Sequence, residues 1–183
     1  MITNHVPEKS ELFGKEIHAI HYFPSDRDND EKIIVAGNPI DINIFLLKTN
    51  EKEGTLMGMH TDTVTSLCMD GYFLFSGSDD TTIVMWNMTN FTQIGVLKGH
   101  TSSIQDMMML KNGYLVSCAY DHKIYFWDYF KGEIIDQLTR KKEEFRCITY
   151  LDRIGILLAG TNAKSILTFN ISHILERRPE GNF

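Results

Sequence analysis

Apolar residues along this chain come in short bursts rather than in long helical stripes. From Thr63 to Met69 the apolar positions are Val64, Leu67 and Met69, the last two in strict period two. A turn at Asp70-Gly71 leads into the apolar run Tyr72 to Phe75, and Ser78-Asp79-Asp80-Thr81 turns the chain into Thr82 to Trp86. Met88 to Phe91 then precedes Thr92 to Leu97. The same order follows at once: Ile104 to Leu110, a Lys-Asn-Gly turn, Tyr114 to Ser117, a turn over Ala119 to His122, Lys123 to Trp127, a turn at Gly132, and Glu133 to Leu138. Short β-rich runs with turn residues about every 8–12 positions predict strands throughout and an all-β fold.

The bursts repeat in kind as well as in pattern. "FSGSDDTTIVMWN" from Phe75 lines up with "VSCAYDHKIYFWD" from Val116. Ser76 meets Ser117, Asp80 meets Asp121 and Trp86 meets Trp127, each pair 41 residues apart, while His60 and His100 lie 40 apart. A weaker copy follows in "EEFRCITYL" and "LLAGTNAKSILTFN", where Ala159, Ala163 and Phe169 replace the serine, aspartate and tryptophan. No histidine sits upstream of it. Before the strong copies, "KEIHAIHYF" and "IIVAGNPIDINIFLL" suggest a further unit, stretched by the polar insertion "PSDRDNDE". Four strands in about 41 residues make one propeller blade. The expected organisation is an N-terminal extension over 1–14, a degenerate blade over 15–50, full blades over 55–97 and 98–138, a second degenerate blade over 139–172, and a tail over 173–183.

These residues carry a family resemblance. The histidine, the Ser-x-x-x-Asp pair and the Trp-Asn or Trp-Asp that closes the third strand resemble the WD-repeat family. "KGH" at Lys98 to His100 and "FWD" at Phe126 to Asp128 stand near its consensus. The resemblance covers Thr55 to Leu138 and extends with fewer matches over Arg140 to Asn170 and Lys15 to Asn50. It implies a β-propeller of about four blades, each of four antiparallel strands, in an incomplete or partner-completed ring. It also implies a hydrogen-bonded brace in each full blade: Asp80 accepting from His60, His60 reaching Ser76, and Ser76 meeting the Trp86 indole, with His100, Ser117, Asp121 and Trp127 repeating the set.

Serine, histidine and aspartate are also the parts of a hydrolase triad. A triad needs an exposed nucleophile, oxyanion donors and a cleft. No G-x-S-x-G stretch is present, and two identical hydrolase centres 41 residues apart in one chain would be unusual. The reading is structural, with no catalytic residue, no metal and no cofactor.

Composition narrows the partners. The net charge of −6 argues against a general nucleic-acid or anionic-membrane surface. Arg140, Lys141 and Lys142 form the one basic run, and Glu143 and Glu144 follow it. Cys68, Cys118 and Cys147 show neither zinc spacing nor a disulfide framework, so a reducing intracellular home, the cytoplasm, is expected. No secretory signal is visible at the N-terminus, and no apolar run approaches the roughly 18 residues of a membrane helix. N-x-[ST] matches at Asn87, Asn90 and Asn170 are therefore read as chance. Met107 to Met109 is read as strand with alternate methionines in the core. Asp26, Asp28, Asp30 and Glu31 lack the glycine and glutamate of a calcium loop and are read as a solvated hairpin insertion.

By analogy with the family, the loops leading into each blade and those between its second and third strands gather on one face. The candidate partner-binding residues there are Asp62, Asp79, Thr81, Ser102, Tyr120, His122, Asn162 and Lys164, beside Thr61 and Thr101. Tyr120, an aromatic at a turn tip, stands out as an anchor. Seven blades, the commonest closure in the family, would need about 290 residues, and this chain has room for four. The function expected is a non-catalytic scaffold in a large protein assembly, with a lean toward a cytoskeletal or ciliary one. Another protein is expected to cover or complete the arc. The alternative is a soluble peptide-recognition adaptor such as a substrate receptor of a ubiquitin ligase, and a hydrolase ranks third.

Overall fold

A computed structural model of the chain describes residues 16–24, 31–37 and 40–177. The extension 1–14, the aspartates of the insertion and the last residues of the tail lie outside these. The described chain folds as four sequential antiparallel meanders. The first sheet holds β1 (Ile17–Phe23), β2 (Lys32–Gly37), β3 (Ile42–Leu46) and β4 (Lys52–Leu56). The second holds β5 (Val64–Asp70), β6 (Phe73–Ser78), β7 (Ile83–Asn87) and β8 (Thr92–Leu97). The third holds β9 (Ile104–Met109), β10 (Leu115–Ala119), β11 (Lys123–Asp128) and β12 (Glu133–Thr139). The fourth has only β13 (Phe145–Leu151), β14 (Ile156–Thr161) and β15 (Ile166–Asn170), followed by the one-turn helix α1 (Ser172–Leu175).

Two expectations are corrected here. Among the described residues the last blade has three strands, and the fully buried Ile171 and Ile174 draw the chain after β15 into α1. The first blade runs past residue 50, since β4 pairs with β3 up to Leu56 opposite Ile42.

Three hydrophobic clusters lie between successive sheets. Ala19, Ile34, Ile44, Leu74 and Trp86 fill the first gap; Phe75, Ile83, Leu97, Leu115 and Trp127 the second; Val116, Ile124, Phe126, Phe145 and Phe169 the third. An inner sheet is thus covered on both faces, which explains why β6 and β10 are buried almost throughout and show little alternation. The same cause extends the reading of the methionine run. Only Met107 is buried, while Met108 packs toward the fourth sheet and Met109 toward the second.

Gly77 lets sheets two and three approach closely, for a Cβ there would stand 2.7 Å from Ile104 Cγ2. Polar contacts tie neighbouring sheets. Thr65 Oγ1 donates to the Ile104 carbonyl at 2.5 Å, the Tyr129 hydroxyl donates to Asp70 at 2.7 Å, and the Ile148 N–H donates to Asp106 at 2.9 Å. The first strands pack in series, β1 on β5, β5 on β9 and β9 on β13, so the sheets fan as an arc.

Candidate functional site

The antiparallel meander brings the start of each first strand beside the turn between the second and third. One backbone bond recurs there in three sheets: the N–H groups of Asp79, Tyr120 and Asn162 donate to the carbonyls of Thr63, Ser103 and Glu144 at 2.9, 3.0 and 3.0 Å. Below this bond, sheets two and three bury a polar chain. Trp86 Nε1–H donates to Ser76 Oγ at 2.8 Å, Ser76 Oγ stands 2.8 Å from His60 Nε2, and His60 Nδ1 stands 2.9 Å from Asp80 Oδ2. In the next sheet Trp127, Ser117, His100 and Asp121 make the same three contacts at 2.8 Å each.

With a neutral imidazole, the network assigns one pattern that satisfies every group: Nδ1–H donates to aspartate, Nε2 accepts the serine hydroxyl, and serine Oγ accepts the indole N–H. The connectivity equals that of a hydrolase triad, but the access does not. Ser76 and Ser117 are 0% exposed, and a tryptophan N–H occupies the oxygen that would have to attack. Such a serine cannot meet an external substrate without the blade opening.

Each aspartate does more than hold its histidine. Asp80 also accepts the N–H of Thr61 and of Thr82, both at 2.9 Å, and the Thr82 hydroxyl at 2.6 Å. Asp121 accepts the N–H of Thr101 at 3.0 Å and of Lys123 at 3.1 Å. Burial pushes the Asp80 carboxyl up, but the bonds from Thr82, Thr61 and His60 outweigh it and hold it below the usual carboxylate range. At Asp121 burial again pushes up, and the His100 bond, with the Thr101 and Lys123 N–H groups, brings the carboxyl below that range. Asp106, between sheets three and four, is raised by burial despite the N–H groups of Ile148 and Met107. Burial likewise raises the Cys68 and Cys118 thiols.

The fourth sheet replaces the buried set consistently. Ala159 and Phe169 stand where serine and tryptophan would, so no indole N–H needs a partner. The loops are tied at the surface instead, Glu144 N–H donating to Asn162 Oδ1 and Asn162 Nδ2 to Glu144 Oε2, both at 3.0 Å. The first sheet has Val35 and Phe45 at these positions.

The candidate contact residues all lie at this loop end, in different settings. Asp62, Asn162 and Lys164 are exposed, and Ser102 is half-buried. Asp79 accepts a bond from Ser103 of the next blade's loop. His122 Nδ1 lies 3.1 Å from the Glu143 carbonyl. Thr81, His122 and Lys164 share one turn position and all adopt left-handed backbone, φ 74°, 66° and 58°. Tyr120 is not a free tip: the Arg146 guanidinium lies 4.3 Å from its ring centroid and bonds its hydroxyl. Arg146, Thr82 and Asp106 were not singled out from sequence, because their roles depend on register within and between sheets. Among the described residues no group of three or more His, Cys, Asp or Glu could hold a metal ion, and no helix is long and apolar enough to cross a membrane.

The profile described as "WD domain, G-beta repeat" matches residues 51–87 and 91–128. The chain belongs to the WD-repeat family. Each matched repeat starts on the outer strand of one sheet, β4 or β8, and ends on the third strand of the next, β7 or β11. The family's sequence unit therefore stitches neighbouring blades together. The WD40 β-propeller domain of Doa1, seen in a crystal structure, superposes with a TM-score of 0.74 at 21% identity, covering 84% of this chain and 50% of that one. Pre-mRNA-processing factor 19 of Mus musculus is 30% identical over 126 residues, 67% of this chain. WD repeat-containing protein 41 of Mus musculus is 29% identical over 110 residues, 55% of the chain. A component of chromatin assembly factor 1 of Mus musculus is 26% identical over 144 residues, 61% of the chain. This WD-repeat chain spans about a quarter of the length of these relatives. WD-repeat propellers bind other proteins and generally serve as interaction scaffolds.

Proposed function

We propose that this chain is a non-catalytic scaffold that presents its loop end to other proteins within a larger assembly. The observation that carries this reading is the pairing of a largely buried Ser-His-Asp-Trp chain, its serines 0% exposed, with an outward-facing loop surface directly above it. A buried polar network fixes the loops' shape, and the exposed side chains on those loops are left to make contacts. Asp62, Asp79, Thr81, Ser102, Tyr120, His122, Asn162 and Lys164 are the proposed contact residues, with the Tyr120–Arg146 stack as anchor. An aromatic stacked under a guanidinium is held in one place, and little ordering remains to be done when a partner binds. The names of two relatives, a pre-mRNA-processing factor and a component of a chromatin assembly factor, favour a nuclear assembly over the cytoskeletal or ciliary one.

The test is partner capture with the full chain, comparing wild type, Tyr120→Ala and Lys164→Glu. The expected result is reduced recovery of the same partners with unchanged thermal stability. A turnover that Ser76→Ala abolishes without loss of stability would overturn the reading.

A further inference from the structure

The fourth sheet differs from the others at one edge. Each third strand carries an isoleucine at its start: Ile42, Ile83, Ile124 and Ile166. In three sheets that isoleucine faces a leucine at or next to the end of the outer strand, Ile42 with Leu56, Ile83 with Leu97 and Ile124 with Leu138. All three isoleucines are 0% exposed. Ile166 has no such partner among the described residues and is 74% exposed, and β15 pairs with β14 alone.

The open edge is built into the chain's own course. In the other sheets the outer strand begins within six residues of the third strand's end, at Lys52, Thr92 and Glu133. After β15 those positions form α1, which turns back over the junction of sheets three and four. Asn112 Nδ2 holds it there, donating to the carbonyls of Ile174 at 2.9 Å and Arg177 at 3.0 Å, while His173 Nε2 lies 3.0 Å from Asp136. Among the described residues, those that follow β15 at the outer strand's usual place are thus committed elsewhere.

We propose that β15 is an acceptor edge for an extended strand from a partner protein, paired antiparallel with a leucine opposite Ile166. The strand would continue an existing sheet and rebuild a contact that the chain already makes three times. The chain's own outer strands thus describe the occupant, a run of about six residues free of proline with leucine at or next to its end. Lys164 in the turn before β15, and Arg140, whose guanidinium lies 5.0 Å from the Phe169 ring centroid, put two cations at this edge. An acidic residue next to the leucine complements them. The inference rests on the reading that other proteins bind this scaffold, and adds a second contact surface apart from the loops.

The probe is a peptide with the sequence of Thr92–Leu97 followed by a glutamate, added to the full chain. Amide exchange across Ile166–Asn170 is expected to slow at least tenfold at saturation. Ile166→Asp, a change at an exposed side chain that leaves the core intact, is expected to weaken binding at least tenfold, as is aspartate for leucine in the peptide. Unchanged exchange in β15 at millimolar peptide, or equal binding by Ile166→Asp, would overturn the acceptor edge. If that happens while Tyr120→Ala still reduces partner capture, the scaffold reading stands and only the edge is lost.

Discussion

Sheets two and three solve the same problem as sheet four by opposite means. All three must hold the loop leading into the blade against the turn between its second and third strands. Sheets two and three do so with four buried polar side chains, sheet four with an apolar pair beneath and an exposed Glu144–Asn162 exchange above. Removing one member of a buried pair leaves its partner unsatisfied, whereas replacing both by apolar groups can be almost neutral. The joint change of serine to alanine and tryptophan to phenylalanine in sheet four is therefore coherent. The brace confers rigidity where it is present and is not needed for a blade to form.

That comparison can be broken at either end. The largest effect is expected from Ser76→Ala or Ser117→Ala, each of which strands an indole N–H and an imidazole nitrogen. The cost should be roughly 2–4 kcal/mol, read as a fall in midpoint in urea with an unchanged slope. The reverse change, Ala159→Ser, places a hydroxyl beside Phe169 with no indole to pair it. It should destabilise too, by about 1–3 kcal/mol.

A smaller effect should come with acid. Asp80 and Asp121 are held below the usual carboxylate range, so their stabilising contribution is complete above the unfolded value near pH 4 and lost as pH falls through their folded values. Asp106 has the opposite sign: its raised folded value costs stability as pH rises through the same region, which partly offsets the loss. Thermal scans from pH 7 to pH 3 should be nearly flat down to about pH 5 and fall below about pH 4. A flat profile to pH 3 would mean that the aspartates do not support the loops. The smallest effect is expected at the strained turns. Thr81 is β-branched at φ 74°, so Thr81→Gly should stabilise by up to about 1 kcal/mol, and Lys164→Gly in the unbraced blade by no more.

The brace was legible in the sequence because histidine, serine, aspartate and tryptophan recur at one spacing, and repetition marks a shared role even where each residue alone is ambiguous. Period-two alternation located the strands and put Met107 and Met109 toward one core cluster, but it did not show that Met108 packs as well, since a sheet packed on both sides buries or half-buries both faces. The missing outer strand of the last sheet was not legible. Nothing in "NISHIL" announces that Ile171 and Ile174 will pack into the core and divert the chain. The Tyr120–Arg146 stack and the Asp106–Ile148 bond were invisible for a related reason. They cross from one blade to the next, and one-dimensional spacing does not report how blades are set against each other.

The most direct test of a structural rather than catalytic brace is a double-mutant cycle on Ser76→Ala and Trp86→Phe, read by equilibrium unfolding. The two changes rebuild in sheet two the pair that sheet four already carries. The double variant is expected to lose less stability than the sum of the single variants, by about 0.5–1.5 kcal/mol. Additive losses, or a Ser76→Ala chain as stable as wild type, would contradict the brace.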